Sequence, residues 1–159
     1  MPTIIGIDLG AHTIKLALME GSFGRYQFSD VRLRSVPQDL EQAPTLDDKL
    51  TALTSVLSDL DEVTLTSATW PAQSASIRLI TLPFSDREQV AKTLRYEVEE
   101  HVPFDMDESE TALASRILSA ENDESVVLTA MAPTEALATY LARLKEAGVD
   151  PKHLTLDSD

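Results

Sequence analysis

Asp8, Gly10, Thr13 and Lys15 fall within the short stretch GIDLGAHTIK, Gly6 to Lys15, and their types and spacing suit a phosphate contact. A glycine at a tight turn tolerates positive φ and lets backbone N–H groups converge on an anion, with the Thr13 hydroxyl as a further donor. Asp8 can orient water bound to Mg²⁺, and Lys15 can neutralise phosphate if it points into a cleft. The plainer reading is an Asp-x-Gly hairpin with a lysine that snorkels to water. Residue physics alone favours that reading, because so short a turn signal recurs by chance.

Other chemistry is thinner. His12, His101 and His153 are the only histidines and show no ligand spacing. Glu97 and His101 share a helix face, but one such pair is too few for a structural zinc site, and a helix C-terminus favours a histidine on its own account. No metal site is assigned. With no cysteine in the chain, disulfides, thiolate ligands and cysteine nucleophiles are excluded, which is compatible with a reducing compartment. Ser22, Ser74 and Ser109 lack the context of a nucleophile elbow, so no catalytic residue is assigned. The run DMDESE, Asp105 to Glu110, lacks the glycine and closing glutamate of a calcium loop and reads as a solvated acidic loop. Phe104 and Met106 beside those acids could set an apolar contact inside an acidic rim that selects a basic partner. The favoured alternative has Phe104 plugging the core beneath a helix end. Trp70, the single tryptophan, stands at the expected junction of two subdomains, where core or hinge packing is favoured over an interface hot spot. Phe104, Met106, Glu97 and Trp70 are the candidate partner-binding residues.

These side chains need a scaffold, and the hydrophobic pattern supplies one. Thr3 to Asp8 and Thr13 to Met19 read as strands about the Gly10 turn, and Tyr26, Phe28, Val31 and Leu33 predict a third strand reaching Pro37, giving an antiparallel meander. Leu46, Leu50, Leu53, Leu57 and Leu60 recur at helical spacing, with Asp47 and Asp48 favourably placed in the first turn. Val63 to Thr69 is a fourth strand closed by Trp70 and Pro71. The pattern then restarts with a short strand through Ile77, Leu79 and Ile80. Ser85 and Glu88 have capping-box spacing and open a helix carrying Val90, Leu94 and Val98, which stops before Pro103. Thr111 to Ser119 and Ser125 to Met131 predict two strands around the polar turn AENDE. Thr134 caps a last helix that turns Leu137, Leu141 and Leu144 inward and ends at Gly148 and Pro151. His153 to Leu156 begins one more strand, so the sequence reads as a piece of a longer protein.

Composition bounds the function. A chain of 159 residues with 43% hydrophobic content can bury a core as one domain or two small subdomains. The formal net charge of −14 repels a phosphate backbone and an anionic lipid surface, which disfavours nucleic acid as a partner. No stretch has the length of apolar residues that a membrane span requires, and no secretory signal opens the chain. The expectation is a cytosolic protein without direct membrane insertion in this stretch.

The element order and two motifs, IGIDLGAHTIKLALME and LPFSDREQVAKTLRYEVEEHVPFDMDE, resemble the PilM and GspL family of FtsA-related proteins. The second motif matches through Leu82 with Pro83, Glu97, and Pro103 with Phe104. LPF and VPFD tilt the resemblance toward GspL, the type II secretion member, over PilM of type IV pilus assembly. The resemblance implies an α/β (α+β) fold: the first half of subdomain 1A of the actin-like ATPase (RNase H-like) architecture over residues 1–70, an inserted β-α-β-β-α subdomain 1C over 71–150, and a return strand over 151–159. It also implies a non-catalytic scaffold on the cytoplasmic face of the inner membrane. The implied partners are the N-terminal domain of the secretion ATPase or, on the PilM alternative, the cytoplasmic tail of an inner-membrane pilus protein. A homodimer is a further assembly it allows, and a phosphotransferase of the same superfamily is the least favoured reading. Asp8, Gly10, Thr13 and Lys15 would be a vestigial phosphate hairpin, with no cofactor in this stretch and ATP with Mg²⁺ reserved for the full-length protein. His12 stands where the family commonly has a small hydroxyl residue, which lowers the phosphate affinity expected of the hairpin.

Overall fold

The computed structural model describes residues 3–22, 24–37, 42–60, 63–107 and 109–157. Alternation in the first strand, β1 (Thr3–Leu9), buries Ile5, Ile7 and Leu9, and in the second, β2 (Thr13–Ser22), it buries Ile14, Leu16 and Leu18. Strict period two is what a sheet with one covered face requires. The two strands pair antiparallel from Thr3 opposite Glu20 to Leu9 opposite Ile14. β3 (Arg25–Ser35) pairs antiparallel with β2, with a bulge that interrupts the register after Leu18. α1 (Leu46–Leu57) lies against β2 and β3 and buries Leu50, Leu53 and Val56. Its N-terminus carries a capping box: the Asp48 amide donates to the Thr45 hydroxyl and the Thr45 amide donates to the Asp48 carboxylate at 2.8 Å. The Thr45 hydroxyl also donates to the Asp48 carboxylate at 2.6 Å, and that bond, with the one from the Thr45 amide, holds the Asp48 carboxyl below its ordinary range. Leu60 falls beyond the helix, which closes at Ser58.

β4 (Leu65–Trp70) joins β1 in parallel, and β8 (His153–Leu156) joins β4 in parallel, completing a mixed five-stranded sheet in the order β3-β2-β1-β4-β8. Between them in sequence lie β5 (Ser76–Leu82), α2 (Arg87–Glu99), β6 (Thr111–Glu121), β7 (Glu124–Pro133) and α3 (Thr134–Glu146). β5, β7 and β6 form a separate antiparallel sheet in that order. Asn122 and Asp123, with φ of 52° and 59°, make the two-residue turn between β6 and β7, the left-handed pair that a type I′ hairpin demands. The AENDE segment therefore turns as its composition predicts.

Two compact units result, one of Met1–Pro71 with Tyr140–Asp159 and one of Ala72–Thr139. Return to the first unit thus begins within α3 at Tyr140, ahead of the boundary after residue 150 read from the sequence. The reason is packing: the Tyr140 hydroxyl donates to the Thr69 carbonyl at 2.8 Å, and Arg143 pairs with Asp47. Three details of the helices differ from the sequence reading. The N-cap of α2 is Asp86, whose carboxylate accepts the Gln89 amide at 2.8 Å, so Ser85 lies one residue outside the helix. Asp86 is itself a strong cap, and it displaced the Ser-x-x-Glu spacing. Thr134 does not cap α3 through its side chain, whose hydroxyl is buried without a partner among the described residues; its amide instead donates to the Glu110 carbonyl. Tyr140 and Leu144 are the buried residues of α3, and Leu141 is exposed. Gly148 ends that segment at φ +85°, where the Val149 amide returns to the Leu144 carbonyl at 2.9 Å.

The second unit has its own core. Leu82 of β5, Val90, Leu94 and Val98 of α2, and Val127 and Met131 of β7 enclose it, and Met106 enters from the loop after α2.

Candidate functional site

The β1–β2 hairpin sets its chemistry by register. Because Leu9 opposes Ile14, Asp8 stands directly across from Lys15, and the Lys15 Nζ donates to Asp8 Oδ2 at 2.9 Å. The Thr69 hydroxyl donates to the other Asp8 oxygen at 3.3 Å and accepts the Leu9 amide at 3.4 Å. Gly10 makes the turn close enough that a Cβ there would sit 2.8 Å from the Thr13 carbonyl oxygen. Any larger residue must push the hairpin open. The structure thus brings Asp8, Gly10, Thr13 and Lys15 together at one turn.

Three residues that the sequence reading passed over converge on the same end of the sheet. Thr69 arrives on β4, the Asp157 amide donates to the Trp70 carbonyl at 3.0 Å just past β8, and Tyr140 reaches in from α3. Burial pushes the Tyr140 phenol up to about 12, and the Asp157 and Asp8 carboxylates add to the shift by opposing a third negative charge. The neutral phenol is therefore the folded form. Its stabilising contribution is complete below pH 10, the ordinary value, and is lost as pH rises from there toward 12. Alkaline titration followed by circular dichroism should show destabilisation over that window, and Tyr140→Phe should flatten it. A variant with the wild-type alkaline profile would remove Tyr140 from the account.

For a nucleotide phosphate with its metal, the fit is partial. Both Asp8 oxygens are engaged by Lys15 and Thr69, so a cation must compete with the ammonium and a phosphate must compete with the carboxylate. At the hairpin itself the charges of Asp8 and Lys15 neutralise each other. Among the described residues, no group of three or more histidine, aspartate or glutamate side chains is placed to share a metal ion.

The partner-binding candidates separate sharply. Met106 is 3% exposed and belongs to the core of the second unit, whereas Phe104 is 41% exposed. The plug beneath the helix end is therefore Met106, and Phe104 is the residue offered to solvent. Two hydrogen bonds fix the intervening Asp105: its Oδ1 accepts the Asp107 amide at 3.1 Å, and its carbonyl accepts the Thr111 hydroxyl at 3.1 Å. Trp70 is buried against Tyr140, edge to face with ring centroids 5.0 Å apart, and is a core residue. Glu97 is half-buried on α2.

The acidic segment is built rather than loose. Asp107 accepts both the Ser109 amide at 2.7 Å and the Ser109 hydroxyl at 2.6 Å, bonds that hold its carboxyl below the usual range. Glu108 lies outside the described residues. Arg95 of α2 ties the segment down by donating to the carbonyls of Met106 at 2.6 Å and Thr111 at 3.2 Å. Around this anchor runs a surface cleft of about 730 Å³ lined by Arg95, Tyr96, Glu99, Asp105, Asp107 and Leu113. Tyr96 on its wall is 72% exposed. Exposed aromatics and arginine are residue types enriched at protein interfaces. No helix among the described residues is long and apolar enough to cross a membrane.

Comparison with known proteins agrees with this architecture. The family model described as type II secretion system (T2SS), protein L matches residues 32–159. Among solved structures, the chain is similar to one described as the PilM-PilN type IV pilus biogenesis complex, with TM-score 0.72 and 20% identity over 96% of this chain and 47% of the other. It is also similar to the cytoplasmic domain of EpsL, an inner membrane component of the type II secretion system of Vibrio cholerae, with TM-score 0.60 and 15% identity over 97% of this chain and 57% of that one. The chain thus spans about half the length of the structures it resembles. No curated protein matches it in sequence. These likenesses show the fold: the actin-like architecture, with the second antiparallel unit inserted after β4.

Proposed function

The chain belongs to the type II secretion system protein L family, and from that membership we propose that it is part of a non-catalytic scaffold of the secretion platform on the cytoplasmic face of the inner membrane. The observation that carries this reading is the family match over residues 32–159. On this reading the scaffold docks the N-terminal domain of the secretion ATPase and passes force or signal by recognition alone, with no covalent step on this chain. The cleft beside Arg95, with Tyr96 and Phe104 exposed near an ordered acidic segment, offers a contact surface for that partner. On the same reading ATP with Mg²⁺ is a ligand of the full-length protein, for which the Asp8, Gly10, Thr13 and Lys15 hairpin supplies one side of a site.

A second reading has an observation of its own. Likeness to the PilM-PilN complex is the stronger of the two structural matches, at TM-score 0.72 against 0.60. It favours a scaffold that receives the cytoplasmic tail of an inner-membrane pilus protein. Calorimetric titration of the chain with the N-terminal domain of the cognate secretion ATPase and, in parallel, with the cytoplasmic tail peptide of the cognate pilus protein separates the two. The first reading expects saturable binding to the ATPase domain alone. Binding to the tail peptide alone overturns it in favour of the second, and binding to neither overturns both.

A further inference from the structure

β3 is one of the two edge strands of the five-stranded sheet, among the described residues no strand pairs with its outer edge, and that edge is long, apolar and net positively charged. Exposure along it is high: Phe28 is 71% exposed, Leu33 69%, Val31 63% and Tyr26 48%. These four side chains share one face. Their β2 partners are Met19, Lys15, Ala17 and Gly21, residues that alternate with the buried Ile14, Leu16 and Leu18. The bulge between Asp30 and Phe28 keeps the face in phase. On the opposite face, Arg32 and Arg34 stand across from Leu16 and Ile14.

An exposed edge of this length is a template for another strand, and proteins ordinarily blunt such edges with short strands, proline or charge. Here the blunting is partial and has one sign. β3 carries Arg25, Arg32 and Arg34 against Asp30 alone, in a chain whose formal net charge is −14. Asp30 pairs with Arg32 at 2.8 Å, and among the described residues no ion pair engages Arg34.

We propose that the outer edge of β3 is a strand-addition site for an extended partner segment that alternates acidic and apolar side chains. Main-chain hydrogen bonds to a free edge supply affinity, and alternate side chains supply specificity. Cross-strand neighbours in such a ladder lie on the same face. A segment added to β3 therefore sets every second residue beside Phe28, Val31 and Leu33, which select apolar groups, and the residues between beside Arg34 and the Arg32–Asp30 pair, where Arg34 selects a carboxylate directly and Arg32 does so by exchanging Asp30 for it. A second copy of this chain is the poorer occupant. Pairing β3 with itself sets three arginines and one aspartate against the same set, so like charges meet across the ladder.

The probe is a fluorescently labelled peptide of alternating glutamate and valine, titrated with the full chain and read by anisotropy. The charge-swapped peptide, with lysine for glutamate, runs in parallel. Saturable binding of the acidic peptide is expected, weakened about tenfold or more by Arg32→Glu with Arg34→Glu, because close opposite charges become like charges. The same double variant should gain affinity for the lysine peptide, which also shows that it is folded. Methylating the peptide's edge-facing amides should abolish binding by removing the ladder. Absence of saturable binding to the acidic peptide, or an affinity indifferent to the charge swap, overturns the proposal. So does a concentration-dependent dimer of the wild-type chain that the double variant loses, since the edge would then belong to a second copy. The secretion ATPase titration reads a different partner, so either proposal can fail while the other stands.

Discussion

Trp70→Ala is expected to cost the first unit about 3–5 kcal/mol of unfolding free energy, the range for deleting a large buried aromatic. Trp70 is 7% exposed at the end of β4 and meets Tyr140 edge to face at an interplanar angle of 85°. Such pairs add about 0.5–1.5 kcal/mol beyond area burial. Opposing the loss, the Trp70 indole N–H is buried without a hydrogen-bond partner among the described residues, and its removal relieves that penalty. Trp70→Phe should therefore cost distinctly less than Trp70→Ala, since it keeps an aromatic face for Tyr140 and discards the orphaned donor. Denaturant unfolding of both variants, followed through a probe in the first unit, measures the difference. A partner hot spot behaves otherwise, losing affinity in the ATPase or tail-peptide titration while unfolding stays at the wild-type midpoint. That outcome would return Trp70 to an interface.

What the sequence makes legible is what short-range periodicity controls. The alternation of Ile5, Ile7 and Leu9 with Ile14, Leu16 and Leu18 specifies two strands with one buried face, and the observed pairing follows. The order of elements in the inserted unit is equally plain, because each has a clear period and a clear stop. Choices between near-equal neighbours are not legible. Ser85 and Asp86 both cap well, and tertiary context selected Asp86. Phe104 and Met106 are both apolar, and the Asp105 hydrogen bonds together with the Arg95 bond to the Met106 carbonyl accompany the inward placement of Met106. Leu141 and Tyr140 are adjacent on α3, and the Thr69 carbonyl decides that the phenol faces in.

The candidate site divides along the same line. Pairing of Asp8 with Lys15 follows from turn length alone, since a hairpin closing at Leu9 and Ile14 sets those two residues opposite. Arrival of Thr69, Tyr140 and Asp157 beside them rests on strands and a helix far apart in the chain, for which no local pattern speaks. The same holds for the apolar edge of β3. Tyr26, Phe28, Val31 and Leu33 predict a strand, but an alternating strand is expected to bury one face, and only the sheet order shows that this one stands outermost with its apolar residues exposed.

Arg95→Met is expected to destabilise the second unit by about 2–4 kcal/mol, although the methionine retains the apolar stem. The reason is the fate of the two carbonyls that Arg95 serves. Its Nη1 donates to Met106 and to Thr111, either end of the acidic segment, and hydrogen bonds from a charged donor contribute about 1.5–3 kcal/mol. Without the guanidinium both oxygens lose that donor, and Met106 loses the tie that holds it in a core shared with Leu94 and Val98. Amides of residues 105–111 should exchange hydrogen faster in the variant, while those of β1 and β2 should keep wild-type protection. Lysine at the same position offers a single ammonium in place of a planar fork, so Arg95→Lys should recover part of the loss. Equal stability of Arg95→Met and wild type would mean that the Asp105 and Asp107 turns order the segment unaided. If the segment presents Phe104 and its carboxylates to a partner, Arg95→Met must also weaken that partner's binding under conditions where the unit stays folded. Loosened loop amides with unchanged binding would take the acidic segment out of the contact surface and leave the exposed Tyr96 wall of the cleft to carry it.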